Sequence, residues 1–184
     1  GLVGSEMCIR DRPNTNTEID AIVKNTGRFP AIRASDLRYY TASGAKLVKN
    51  NTDIQLSQEW AKNGGIVSYA WYWYTPIGKP TFYRDESTFD IGAAVSDYED
   101  LAVMNEESLA QLLEDETISE ECYAVLSDMD AIAKQLSVLK DSGVTVLFRP
   151  LPASSAGLYW WEKNSKTYKW LWLSLIHISE PTRP

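Results

Sequence analysis

The chain has 184 residues and a formal net charge of −7, long enough for one domain with a real core. It carries no basic cluster, which argues against nucleic acid as a partner, and no apolar run near the roughly 18–20 residues of a membrane span. Two cysteines, Cys8 and Cys122, offer neither a disulfide framework nor a metal-ligand spacing.

The two ends come first. Gly1–Arg12 (G-L-V-G-S-E-M-C-I-R-D-R) and Leu173–Pro184 (L-S-L-I-H-I-S-E-P-T-R-P) resemble translated sequencing-adapter read-through, so residues 1–12 and 173–184 are expected to be artefactual tails and 13–172 the evolved segment. The one histidine, His177, lies in the second tail. Residues 13–172 therefore exclude Ser–His and Cys–His nucleophile pairs and histidine metal sites, and no cofactor or metal is expected.

Thr15–Thr26 reads as a helix with Thr15, Asn16 or Thr17 as cap, an Ile19/Ile22/Val23 stripe and Gly27 as stop. Pro30–Tyr40 begins as a strand. Asp53–Asn63 is a second helix, with Ile54, Leu56, Trp60 and Ala61 as candidate buried positions, and Ile66–Tyr74 is a second strand ended by Pro76. Ile77–Asp115 shows no clean period beyond a short helix near Ile91–Val95. Because it leaves a strand end rich in aromatics, it is expected to be an insertion on the functional face. Thr117–Ser142 is the strongest helix: Thr117 and Glu120 stand at capping-box spacing, and an apolar stripe runs from Ile118 to Leu139, with Cys122 as a small core residue on it. Val144–Phe148 predicts a strand buried on both faces, closed by Arg149, Pro150 and Pro152, and Ser165–Trp172 starts a last helix.

Alternation of this kind implies an α/β fold with a parallel sheet, whose ligands bind beyond the carboxyl ends of the strands. Those ends hold Asp36, Arg38, Tyr39 and Tyr40, then Trp71, Tyr72 and Trp73, then Arg149, Pro150 and Tyr159–Trp161. None carries a glycine-rich phosphate loop, which disfavours a nucleotide fold. Seven Trp and ten Tyr against four Phe add rings with a polar edge, suited to sugars as well as to cores.

The segment V-L-F-R-P-L-P-A-S-S-A-G-L-Y-W-W resembles the family-26 glycoside hydrolases, chiefly endo-β-1,4-mannanases, whose pattern runs R-P-L-H-E and, about four residues on, W-F-W-W. F-P-A-I-R-A-S-D-L and N-G-G-I-V-S-Y-A-W-Y-W-Y-T-P resemble that family's second and third barrel strands, and F-Y-R-D-E-S-T-F-D the loop after the third. The resemblance implies a partial (β/α)8 TIM barrel, about strands two to four with their helices, and retaining hydrolysis of β-mannan-type polysaccharide by two carboxylates. It also implies secretion or cell-surface exposure. The acid/base position falls on Ala153, with Pro152 in place of His; Tyr72 replaces a common His, Leu158 the first Trp, and the nucleophile has no counterpart. Two readings result: a hydrolase fragment, or a catalytically inactive carbohydrate-binding relative.

Asp36, Trp71, Tyr72, Trp73, Arg149, Tyr159, Trp160 and Trp161 are the expected substrate-binding residues. Trp71, Tyr72 and Trp73 alternate across a strand, so one or two face the sugar and the rest pack under helices. Arg149 is a sugar ligand or the ion-pair partner of Asp36, and Trp160 with Trp161 is a sugar platform or core filling. Glu162 is a substitute acid or, the favoured alternative, a solvated surface carboxylate.

Overall fold

A computed structural model describes residues 16–98, 100–153 and 156–179. The chain runs α1 (Thr17–Thr26), β1 (Ile32–Asp36), α2 (Ala42–Ala45), α3 (Asp53–Lys62), β2 (Ile66–Trp71), α4 (Ile91–Ala94), α5 (Glu106–Glu114), α6 (Glu120–Asp141), β3 (Val146–Pro150) and α7 (Ser165–Ser179). The strands form one parallel sheet in the order β1-β2-β3.

Register sorts the side chains into two faces. Ser35, Tyr69 and Phe148 share a row. Their side is the helix side: Ser35 Oγ donates to Asp53 Oδ1 at 2.8 Å, and Tyr69 Oη lies 2.8 Å from Ser57 Oγ on α3. Arg33, one row earlier, pairs with Asp53 at 3.0 Å; both are buried, so this is an ion pair that costs much if one partner is removed. The opposite face holds the rows Ile32–Ile66, Ala34–Ser68–Leu147 and Asp36–Ala70–Arg149.

Two expectations about burial are corrected. β3 is not buried on both faces: Leu147 is 51% exposed and Arg149 is exposed, because β3 is the sheet edge while β2, the centre strand, is buried along nearly its whole length. The Ile19/Ile22/Val23 stripe of α1 is not core either, since that helix buries none of its residues. Gly27 does end α1, at φ 68°, a left-handed value that glycine adopts at no steric cost.

The cap of α6 is Ser119, whose Oγ accepts from Cys122 N at 3.0 Å; the expected capping box at Thr117 fails because Thr117 N donates instead to Leu112 O. The stripe below it holds, with Cys122, Val125, Leu126, Met129, Ile132 and Leu139 buried. Burial pushes the Cys122 thiol up to about 11, which fits an inert core residue. α5 is an addition to the expected insertion, and α7 runs past residue 172 with Ser174 and Leu175 buried. Residues 1–12 and 180–184 lie outside the described residues. No helix among the described residues is long and apolar enough to cross a membrane.

Candidate functional site

At the carboxyl end of β1 the chain folds at once into a 3-10 turn, Leu37–Tyr39. Asp36 makes that turn. Its carboxylate accepts from Arg38 N at 2.9 Å and from Tyr72 N at 3.2 Å, tying the end of β1 to the end of β2, and it forms an ion pair with the Arg38 guanidinium. Burial pushes the Asp36 carboxyl up, opposed by the charge and hydrogen bonds of Arg38. Arg149 lies on the same face but two strands away, across Ala70, on the order of 10 Å at normal strand spacing. The ion-pair partner of Asp36 is therefore Arg38, which corrects the Arg149–Asp36 alternative.

The Arg38 guanidinium carbon stands 5.4 Å from the ring centroids of Tyr72 and Phe82 and 5.9 Å from that of Tyr39. A weakly hydrated planar cation suits such a setting. Tyr74 stacks on Phe82 at 4.7 Å, and burial pushes its phenol up. Tyr72 meets Phe82 and Tyr159 edge-on at 6.2 and 5.8 Å. Tyr72 and Tyr159 thus stand together with Asp36 and Arg38, as the strand-end argument expects.

This aromatic wall is built from two loops sewn together across the sheet end. Tyr83 and Tyr159 form an antiparallel bridge, Arg84 N donates to Leu158 O at 2.8 Å, and Trp160 N donates to Phe82 O at 3.1 Å. Lys163 Nζ donates to Ser87 O and Phe89 O at 3.1 and 2.9 Å. Glu162 is a surface carboxylate, as the favoured alternative has it, but one with a structural task. Its carboxylate accepts from the backbone nitrogens of Ala156, Leu158 and Tyr159 at 2.8–3.0 Å, so it organises the loop.

Beneath the wall lies a floor of indoles. Trp71, Trp73, Trp160 and Trp161 have no exposed surface. Trp71 stacks on Trp73 at 4.2 Å, Trp73 meets Trp160 edge-on at 5.1 Å, and Trp160 Nε1 donates to Trp73 O at 2.7 Å. The expectation of a Trp160/Trp161 platform is corrected to core filling, and Trp71 and Trp73 fall among the rings packed under helices.

Asp128 of α6 anchors this floor. It is buried, accepts from Trp73 Nε1 at 2.8 Å and from Ala42 N at 3.2 Å, and burial raises it from 3.8 to about 6. A carboxyl raised in the folded state contributes stability that is complete below its unfolded value and is lost as pH rises through about 6. Asp128→Asn keeps an acceptor for Trp73 and removes the charge. The variant is expected to gain about 1–2 kcal/mol on the wild type between pH 5 and pH 8, read as urea midpoints at both values. An unchanged gap between the two proteins would refute the assignment.

Past β3, Leu151 and Ala153 both hold left-handed backbone, φ 47° and 56°, which costs a non-glycine residue on the order of 1 kcal/mol or more. The Leu151 side chain is buried, while Ala153 is exposed and presents only a methyl group. A cavity of about 200 Å³ between the 98–103 segment and α7 shares no residue with this face.

Sequence reasoning passed over Tyr74, Phe82, Tyr83 and Asp128, and placed Arg38 at a strand end without a role. Asp128 has a visible signal: it is the charged residue on an otherwise apolar stripe of α6. Phe82 and Tyr83 sit in the aperiodic insertion, where no spacing marks them, and Tyr74 ends the expected second strand, where nothing sets it apart from the aromatics before it.

A parallel strand set with helices beside it and an aromatic face at its carboxyl ends defines a segment of a (β/α)8 barrel. The profile of Glycosyl hydrolase family 26 matches residues 2–183, and the chain belongs to that family. A mannan endo-1,4-beta-mannosidase of Thermothelomyces thermophilus is 32% identical over 154 residues, 79% of this chain and 28% of that protein. Among solved structures, a GH26-CBM35 β-(1,4)-mannanase of Podospora anserina is 30% identical with a TM-score of 0.69, over 88% of this chain and 34% of its own. A β-mannanase from a symbiotic protist of the termite Reticulitermes speratus, solved with a gluco-manno-oligosaccharide, is 28% identical with a TM-score of 0.64, over 88% and 46%. The chain spans less than half the length of each of these relatives.

Proposed function

We propose that this chain is the polysaccharide-binding quarter-to-half of a secreted or cell-surface β-mannanase barrel, strands two to four, and that it binds β-mannan-type chains without cleaving them. The observation that carries the reading is the strand-end face itself: Asp36, Arg38, Tyr72 and Tyr159 gathered beside Phe82 and Tyr83. Arg149, exposed on the same sheet face, adds a donor for sugar hydroxyls.

Retaining hydrolysis needs a carboxylic acid at the leaving oxygen and a second carboxylate about 5–5.5 Å away. At the acid position Ala153 offers a methyl group, which forfeits the typical 10²–10⁴-fold help of general acid–base catalysis. Ala153, Tyr72 and Leu158 together favour the second reading, a whole protein that holds sugar and has lost its chemistry.

The test is electrophoresis of the full chain through a native gel containing soluble glucomannan, beside a reducing-end assay on the same polymer. Retardation with no release of reducing ends is the expected result. Hydrolysis above a buffer blank would sink the reading of Ala153, and unretarded migration would sink the reading of the face. A longer reading frame that cleaves mannan once Ala153→Glu is introduced would decide for a lost acid over a dedicated binder.

A further inference from the structure

Tyr83 presents a large ring to solvent from a well-bonded backbone. Its side is 43% exposed, yet its backbone is fixed on both flanks: it bridges Tyr159, its nitrogen donates to Thr81 Oγ1 at 3.1 Å, and the next nitrogen donates to Leu158 O. The ring itself lies 6.3 Å from Tyr159 at an interplanar angle of 18°, and Tyr159 lies 4.6 Å from Trp161 at 10°. Three rings therefore stand in one near-parallel stack. Its inner end, Trp161, is fully buried, Tyr159 is nearly so, and only the outer end meets solvent.

A stack of this form has one unoccupied kind of neighbour. Exposed apolar area on a ring carried by an ordered backbone is a binding resource, because the segment that presents it need not be ordered when a flat partner arrives. A β-linked hexopyranose offers such a partner: its axial C–H groups form a flat apolar face, and its hydroxyls project around the rim. Arg84, Asp85 and Glu86 form the exposed, charged turn that follows Tyr83. Leu158, next to Tyr159 in the chain and 56% exposed, is joined to Arg84 through the backbone.

We infer that Tyr83 is a pyranose-stacking position at the outer end of the Tyr83–Tyr159–Trp161 stack, taking one sugar unit of the polysaccharide chain. The assignment rests on the glycan-binding reading of the strand-end face and adds to it a residue and a ligand geometry. Tyr83 is a binding residue, with no part in proton transfer.

Two variants of the full chain test it: Tyr83→Leu, which keeps apolar bulk and removes the flat ring, and Tyr83→Trp, which enlarges the ring. Glucomannan retardation gives the affinity and urea unfolding gives the fold control. The inference expects Tyr83→Leu to bind about 5-fold more weakly at an unchanged urea midpoint, and Tyr83→Trp to bind at least as well as wild type. Wild-type binding with Tyr83→Leu equally retarded overturns the stacking position and leaves the strand-end reading standing. A fall in affinity accompanied by a matching fall in midpoint assigns Tyr83 to the scaffold and also overturns it. Absence of retardation in the wild type overturns both.

Discussion

Arg38→Met is expected to lower the unfolding free energy by about 3–5 kcal/mol at pH 7. The methionine fills the space among Tyr39, Tyr72 and Phe82 but leaves the Asp36 carboxylate, whose side chain is 15% exposed, without its cation. Asp36→Asn is expected to cost a comparable amount, because an amide oxygen still accepts from Arg38 N and Tyr72 N but the buried guanidinium, which cannot shed its charge, loses its anion. The pH dependence separates an electrostatic cause from a packing one. Burial already raises Asp36, and Arg38 opposes that rise. Without Arg38 the folded carboxyl lies further above its unfolded value, so its contribution is complete in acid and disappears as pH rises through the folded pKa. The deficit of Arg38→Met should therefore be small at pH 4 and largest near pH 8, measured as urea midpoints across that range. A deficit independent of pH would mean that the guanidinium acts only as a filler.

Gly44→Ala should cost about 3 kcal/mol, although it adds a single methyl group. A Cβ at Gly44 would sit 1.8 Å from Arg38 O, 2.9 Å from Arg38 C and 3.1 Å from Tyr39 Cα. All three are backbone atoms, so no side chain can swing aside. Either α2 or the 3-10 turn must move. Displacing α2 strains the Ala42 N–H bond to Asp128, and displacing the turn shifts Arg38 out of its rings. The expected signature is a lowered urea midpoint together with weaker glucomannan retardation. A stable variant with unimpaired binding would show that this contact relaxes cheaply.

The order of elements was legible because apolar periodicity and turn residues agree along most of the chain. β1, β2, α3, α6 and the start of α7 arise where expected, with boundaries moved by a few residues. α5 was missed although its signals are present: Asn105 accepts from Ser108 N as an N-cap, and Leu109, Leu112 and Leu113 follow at helical spacing. A long aperiodic insertion hid it. The site was less legible. Side chains with the same chemistry face opposite ways along Trp71–Trp73, and only the partners decide which is core. Trp160 is buried by Trp73 and Phe89, residues far away in sequence. Arg38 acquires its setting from Tyr39, Tyr72 and Phe82, which no local pattern brings together. The exposure of Leu147 follows from β3 standing at the sheet edge, a fact of assembly and not of composition.

The seam between the two loops bears on when the site comes into being. Its fastening bonds join residues 74 to 87 positions apart, whereas α3 and α6 close locally. Contacts of such long range need the intervening chain to be in place before they return any free energy, so they form slowly and late. The indole floor is closed by the same return of the chain, since Trp160 and Trp161 enter it from beyond β3. The aromatic wall must wait until β3 has docked and turned back. The strand-end face is thus completed only when β3 is in place, together with the ladder that holds β3 to β2.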